Sequence, residues 1–247
     1  MAEFILKIPR EKLKGAILIT GFRGFGMVGY LLTKYAAQAL NARKVGFILP
    51  ETEVPPMLII EEDGPGFPYE VYYTENPKTV FILNRAMPDR EEWTPYTESL
   101  ASFAYEVGIK LAVLAGGLSR EYMPEDDKYG YRWIGNTYFL REGGRLDAPQ
   151  MEEGLGVMGP LATLYIFLEY YEIPSVIVLP YSMVEEVDYD AVLRGLKVLS
   201  QIIGVELKAP ALEEAAERQK ALLMKLAEMS GSGEESPRKR EGGAIYM

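Results

Sequence analysis

The chain is 247 residues long, 48% hydrophobic and 25% charged, the balance of a water-soluble protein able to bury one sizeable core. With 36 acidic against 26 basic residues its formal charge is −10, so most of its surface repels a phosphate backbone and nucleic acid is not an expected partner. It has no cysteine and no histidine, which removes disulfides, thiolate nucleophiles and zinc–sulfur sites together with the commonest general base and transition-metal ligand.

The first element is a short apolar run, Ala16-Ile-Leu-Ile-Thr20, which ends at Gly21 and reads as a buried strand; Val28 to Leu40 then has the apolar spacing of a helix. A further strand is expected at Val45-Gly-Phe-Ile-Leu49, with shorter ones at 57–60, 69–73 and 79–83. Pro55-Pro56 and Gly64-Pro65-Gly66 bound the middle runs and suit turns between antiparallel strands. After Asp89 the spacing of Trp93, Tyr96, Leu100, Phe103, Ala104 and Val107 is helical, and Leu111-Ala-Val-Leu-Ala115 is a strand closing on Gly116-Gly117. A second pair follows, a helix over 160–171 and a strand over Ser175-Val-Ile-Val-Leu179. Continuous apolar strands alternating with helices predict an α/β protein, a three-layer α/β/α sandwich on a mostly parallel mixed sheet.

Two more helical patterns close the sequence, 192–203 and 212–229. The second carries an apolar stripe that includes Leu212, Leu222 and Leu226 and reads as packing on its own domain, with an oligomer interface through these residues as the alternative. One domain over 1–229, with the amphipathic helix 211–229 as its last element, is followed by a Gly-, Ser- and charge-rich segment, 230–247, with the composition of a flexible tail. Met1 to Lys7 lacks the pattern of a secretory signal, and the longest apolar region, 155–168, is broken by Pro160. No membrane association is expected, and the cytoplasm is the expected compartment.

Gly24-Phe-Gly26-Met-Val-Gly29 sits between a predicted strand and a predicted helix, and Glu51 lies 22 residues past the last glycine. That spacing is similar to a dinucleotide fingerprint, in which backbone amides hold a pyrophosphate and an acid holds a ribose. Glycine is also required at any tight strand-to-helix turn, and this is the reading preferred here. A second cluster, Gly154-Leu-Gly156-Val-Met-Gly159-Pro160, opens the later helix, so that the two clusters are expected to form a crevice at the strand ends. No hydroxyl–base pair accompanies them. The acidic runs, among them Glu61-Glu62-Asp63, Glu91-Glu92 and Glu125-Asp126-Asp127, read as solvated surface, because adjacent carboxylates point apart. Neither a metal nor a cofactor is expected. The segment Tyr122 to Tyr138, with Trp133 and Asn136, reads as core or interface packing, with a recognition loop as the alternative.

Gly24-Phe-Gly-Met-Val-Gly29, Leu111-Ala-Val-Leu-Ala-Gly-Gly117 and Gly156-Val-Met-Gly-Pro-Leu161, leading through Ile173-Pro174 to Val176-Ile-Val-Leu-Pro180, together resemble the proteasome assembly chaperone family in its archaeal homologues, over roughly residues 10 to 205. The resemblance implies an α/β sandwich related in shape to nucleoside phosphorylases, no enzymatic mechanism, and binding to α-subunits of the 20S proteasome. Partners of the proteasome commonly end in a hydrophobic–Tyr–any-residue motif, and Ile245-Tyr246-Met247 matches it position by position. The implied mechanism seats this tail in a pocket between α-subunits. A single three-residue graft binds weakly, so several tails on a homo-oligomer, with or without a paralogous chain, are part of the expectation. A nucleotide- or nucleoside-binding enzyme using the glycine turns is the competing expectation.

Overall fold

A computed structural model describes residues 1–61 and 64–230, with side chains through residue 224. Strand β2 (Ile17–Gly21) lies at the centre of a nine-stranded mixed sheet. It is flanked by β7 (Lys78–Asn84) and β8 (Leu111–Ala115), and both pairings are parallel. On the β8 side follow β11 (Ser175–Ser182) and the edge strand β10 (Tyr131–Gly135), with the two-residue β9 (Leu118–Ser119) beside the end of β11. On the β7 side follow β6 (Tyr69–Glu75), β3 (Arg43–Leu49) and the other edge strand, β1 (Glu3–Leu6). Strands β1, β6 and β10 run against the direction shared by the rest.

The near-continuous burial of these strands follows from helices on both faces. Alternate side chains divide between two cores. Leu18, Val80, Ile82, Ala112, Leu114, Ile177 and Leu179 face α2 (Trp93–Glu106) and α4 (Pro160–Tyr170). Ile17, Ile19, Phe81, Val113, Val176 and Val178 face α1 (Val28–Ala39) and α5 (Tyr189–Ile203). The three-layer α/β/α expectation therefore holds, and each layer is built from the helices the apolar spacing marked.

Three elements differ from the sequence expectation. The run at 57–60 yields only β4 (Ile59–Glu61), which pairs with β5 (Gly64–Gly66) in a separate small hairpin, because Pro55, Pro56 and Pro65 supply no ladder donors. The Tyr122–Tyr138 segment forms β10 and the start of α3 (Thr137–Arg141). Its Trp133 is buried, donating from Nε1 to the Ala148 carbonyl at 2.6 Å, so this ring belongs to the core. The last helix, α6 (Pro210–Ser230), is divided along its length. Leu212 and Ala216 are buried beside α5, and the Gln219 side chain accepts from the Tyr189 backbone N–H at 3.2 Å and donates to the Val187 carbonyl. Residues 220–224 are then all exposed, with Leu222 at 57%. The interface reading of Leu212 is thus corrected, since a fully buried side chain inside its own domain has no surface left for a second subunit. Leu222 remains available; the side chain of Leu226 lies outside the described residues.

Candidate functional site

The carboxyl ends of the parallel strands gather the turns that the glycine motifs marked. The β2-to-α1 turn is held by direct backbone approach. A methyl group on Gly29 would lie 2.4 Å from the Phe22 carbonyl oxygen, and one on Gly21 would lie 2.5 Å from the carbonyls of Ala115 and Gly29. Gly26 has φ +61°, and its α-carbon faces the side chains of Ser182 and Asp188. Helix α1 is thereby pressed onto the ends of β2 and β8.

Buried polar side chains fix this arrangement. Asn84, just at the end of β7, donates from Nδ2 to the Gly21 carbonyl and to Thr20 Oγ1, both at 3.0 Å, and accepts from Tyr96 Oη at 2.7 Å. Asp188 caps α5 by accepting from the Ala191 backbone N–H at 3.0 Å, accepts from that of Met183 at 2.9 Å, and ion-pairs with Arg120 at 2.8 Å. The Ser182 hydroxyl is buried nearby and, among the described residues, has no hydrogen-bond partner, Asp188 included. Asn84 and Arg120 were not marked by the sequence reading, because their partners lie too far away along the chain for local spacing to reveal them; Asp188, which belongs with Glu185 and Glu186 to one of the acidic runs read as solvated surface, is instead fully buried as the N-cap of α5.

Gly24 from the first cluster and Met158 and Pro160 from the second line one crevice together with Gly117, whereas Gly26, Gly29, Gly156 and Gly159 do not line it. Its volume is about 20 Å³. That is room for one water and far below the several hundred Å³ of a small-molecule site. Gly156 stands exposed, with nothing within 4 Å of where a Cβ would be, and Gly159, at φ +82°, forms the N-cap of α4 ahead of Pro160. Glu51 is not brought to the crevice. It follows β3, which β6 and β7 separate from β2, and its carboxylate pairs with the Met1 ammonium group. The dinucleotide arrangement is therefore not assembled, because the acid that would hold a ribose is displaced by two strands. Ile245, Tyr246 and Met247 lie outside the described residues.

Beyond β7 a buried ion network ties the β4–β5 hairpin to the sheet. Arg85, almost wholly buried, pairs with Glu70 and Glu61; Lys44 reaches Glu70 at 2.8 Å, Lys34 reaches Glu61 at 2.7 Å, and Tyr72 Oη donates to Glu70 at 3.0 Å. Burial pushes the Glu61 carboxyl up, but hydrogen bonds from Lys34 and Arg85 outweigh it and hold the group below the ordinary carboxylate range. Burial lowers the Lys34 ammonium, and the hydrogen bond to Glu61 together with the charges of Tyr30 and Glu61 outweighs this, leaving it raised. Among the described residues no group of three Asp or Glu side chains is placed to hold a metal ion, and no helix is long and apolar enough to cross a membrane.

Fold and site together define a three-layer α/β/α scaffold whose strand-end turns are sealed by backbone packing. The chain belongs to the PAC2 family, whose model matches residues 18–227. Among solved structures it is similar to Pyrococcus furiosus PbaA, an archaeal homolog of proteasome-assembly chaperone, at 18% identity and a TM-score of 0.74, covering 94% of this chain and 98% of that one. It is similar also to Pyrococcus furiosus PbaB, an archaeal proteasome activator, at 19% identity and a TM-score of 0.72, covering 91% of this chain and 98% of that one. A PAC2 family protein from Streptomyces avermitilis aligns at 18% identity with a TM-score of 0.67, covering 86% of this chain and 96% of that one. At these identities the likeness establishes the shared fold. No curated protein matches the chain.

Proposed function

We propose that this protein binds the proteasome, as an assembly chaperone or an activator-like partner, and acts through binding rather than catalysis. The observation that carries the reading is its membership of the PAC2 family, supported by a fold shared over nearly its whole length with PbaA and PbaB. The crevice at the strand ends, at about 20 Å³, is smaller than a small-molecule site, which favours binding through a surface or tail over chemistry there.

In this proposal the last residues of the chain, Ile245-Tyr246-Met247, enter pockets between α-subunits of the 20S particle. Ile245 meets an apolar wall, the Tyr246 hydroxyl a buried partner, and the Met247 carboxylate a cationic side chain. The Gly-, Ser- and charge-rich composition of 231–244 suits a tether, with a root-mean-square reach on the order of 20 Å. Several tails are needed, so the working species is a homo-oligomer in the proteasome's own compartment, the cytoplasm, and the exposed Leu222, Leu223 and Met224 of α6 pack on a second copy.

The test is capture of assembled 20S particles, and separately of free α-subunits, by the full-length chain. Tyr246→Ala, deletion of 245–247, and one added Gly after Met247 should each weaken capture, by about ten- to a hundredfold per tail, from the roughly 1.5–3 kcal/mol of a charge-assisted contact. Full-strength binding by the Gly-extended chain would remove the carboxylate contact. Full-strength binding by the deletion would move the contact to the folded domain. Capture of neither particles nor free subunits would sink the proposal.

A further inference from the structure

Beside the glycine crevice, and sharing Met87 with it, lies a second cavity of about 140 Å³. It is floored by Tyr69 at the start of β6 and walled by Pro55, Pro56 and Pro88, and it is lined by three carboxylates, Glu53, Asp89 and Glu92. The volume is far too large for one water and too small for a nucleotide. It is the size of a single extended side chain.

Glu92 is the unusual group. It is only 7% exposed, and its Oε1 is buried with no hydrogen-bond partner among the described residues. Among the described residues three carboxylates are buried to this degree, and the other two are paired, Glu70 with Arg85 and Lys44, and Asp188 with Arg120. Among the described residues no Lys or Arg pairs with Glu53, Asp89 or Glu92. Glu92 stands at the N-terminus of α2, where the helix dipole offsets part of its charge. The dipole supplies no donor to Oε1, and a buried acceptor left without one is costly. Burial pushes the Tyr69 hydroxyl well above its ordinary value, and the charges of Glu92 and Asp89, which line the same cavity, add to this.

We propose that this cavity is a socket for one basic side chain, Arg or Lys, presented by a partner protein. The chemistry is complementary along its length. Proline rings, Met87 and Tyr69 take an aliphatic stem, and the three carboxylates take its cationic head. The surroundings favour a polypeptide over a free cation, because Met87 in the socket wall is 36% exposed and the adjoining crevice, which shares Met87, continues the apolar surface with Met158 at 41%, an area that only a larger partner covers. A divalent metal fits less well, since these acids are not grouped for coordination. The socket and the C-terminal tail are separate features, so either can fail without the other.

The experiment is an NMR titration of the full chain, with calorimetry, using Nα-acetyl-arginine amide, Nα-acetyl-lysine amide, the neutral Nα-acetyl-norleucine amide, putrescine and calcium chloride as probes. The two cationic amides should bind at millimolar level, shifting Tyr69 and Met87, with the norleucine amide at least tenfold weaker. Glu92→Gln should lose at least tenfold for both cations with an unchanged circular dichroism spectrum. Should Glu92→Gln fail to fold, Glu53→Gln at the same socket should show a severalfold loss instead. Norleucine amide binding as well as the cations, or cation binding indifferent to both substitutions, would overturn the proposal. Putrescine binding tenfold more tightly than the arginine amide would replace it with a free diamine, and calcium displacing the amides at equal concentration would replace it with a metal.

Discussion

At Gly29 a methyl group would sit 2.4 Å from the Phe22 carbonyl oxygen and 2.5 Å from that of Ala115, whereas at Gly156 it would meet no atom within 4 Å. Both glycines belong to similar sequence clusters ahead of a helix, and only the first is fixed by its neighbours. Backbone atoms cannot move aside as a flexible side chain can, so Gly29→Ala must shift α1 from the ends of β2 and β8. We expect a loss of roughly 1–3 kcal/mol by urea denaturation for Gly29→Ala, and a change within about 0.5 kcal/mol for Gly156→Ala. A phosphate cradle built from both clusters would predict instead that each substitution abolishes a ligand. Calorimetry with NAD, ATP and nucleosides at millimolar concentration should give no heat, and micromolar affinity abolished by Gly26→Val would reverse that reading.

Among the elements, the β4–β5 hairpin depends on charge and α6 on packing. The folded Glu61 carboxyl lies below its ordinary value of 4.5, so its contribution is fully present above that pH and is lost as pH falls through the folded value. The raised Lys34 ammonium has the opposite sign, contributing below its ordinary value of 10.5 and losing that contribution only as pH rises through its folded value. Denaturation midpoints measured from pH 7 down to pH 3 should therefore fall on the acid side, and Glu61→Gln should flatten that fall while lowering the midpoint at pH 7. A pH profile unchanged by the substitution would show that Glu61 does not carry it. For α6 the expected contrast lies along one helix. Leu212→Ala, in the core, should cost about 2–5 kcal/mol. Leu222→Asp should leave the melting temperature of the subunit nearly unchanged and, if α6 pairs with a second copy, reduce the mass seen by light scattering. Unfolding by Leu222→Asp would place that residue in a core.

On the scale of the whole molecule, the strands buried on both faces were legible because burial leaves a continuous apolar run, and the helices because one face is apolar. Strand β1 was missed, being a four-residue edge with only one partner. Strand β10 was hidden by Arg132 in its middle, a charge that reads as a loop until Asp127 and Glu152 are brought to it at 2.5 and 2.6 Å. Of the two glycine clusters, Gly24 lines a crevice with Met158 and Pro160 while Gly156 and Gly159 do not, and the spacing to Glu51 could not reveal that two strands would be inserted between β3 and β2. Leu212 was misassigned for a related reason. Helical periodicity gives the direction of an apolar stripe, not the point at which the domain beneath it ends.

That point is Gln219, and it makes the end of α6 a lever. From there to Ser230 the helix extends by about 16 Å at 1.5 Å per residue, beyond the last side chain that, among the described residues, bonds to the body. Its fulcrum is one amide, bonded to the backbone that leads into α5. A tilt of about 20° at this hinge, within the usual scatter of helix crossing angles, carries the tip sideways by roughly 5 Å, about one turn of helix. A small rearrangement around Asp188 and Tyr189 would thus be amplified at the point where the chain leaves the helix. Trimming Gln219 to Ala would loosen the pivot without touching either core, and the spread of positions of this segment, measured by spin labels at Ser230, should widen.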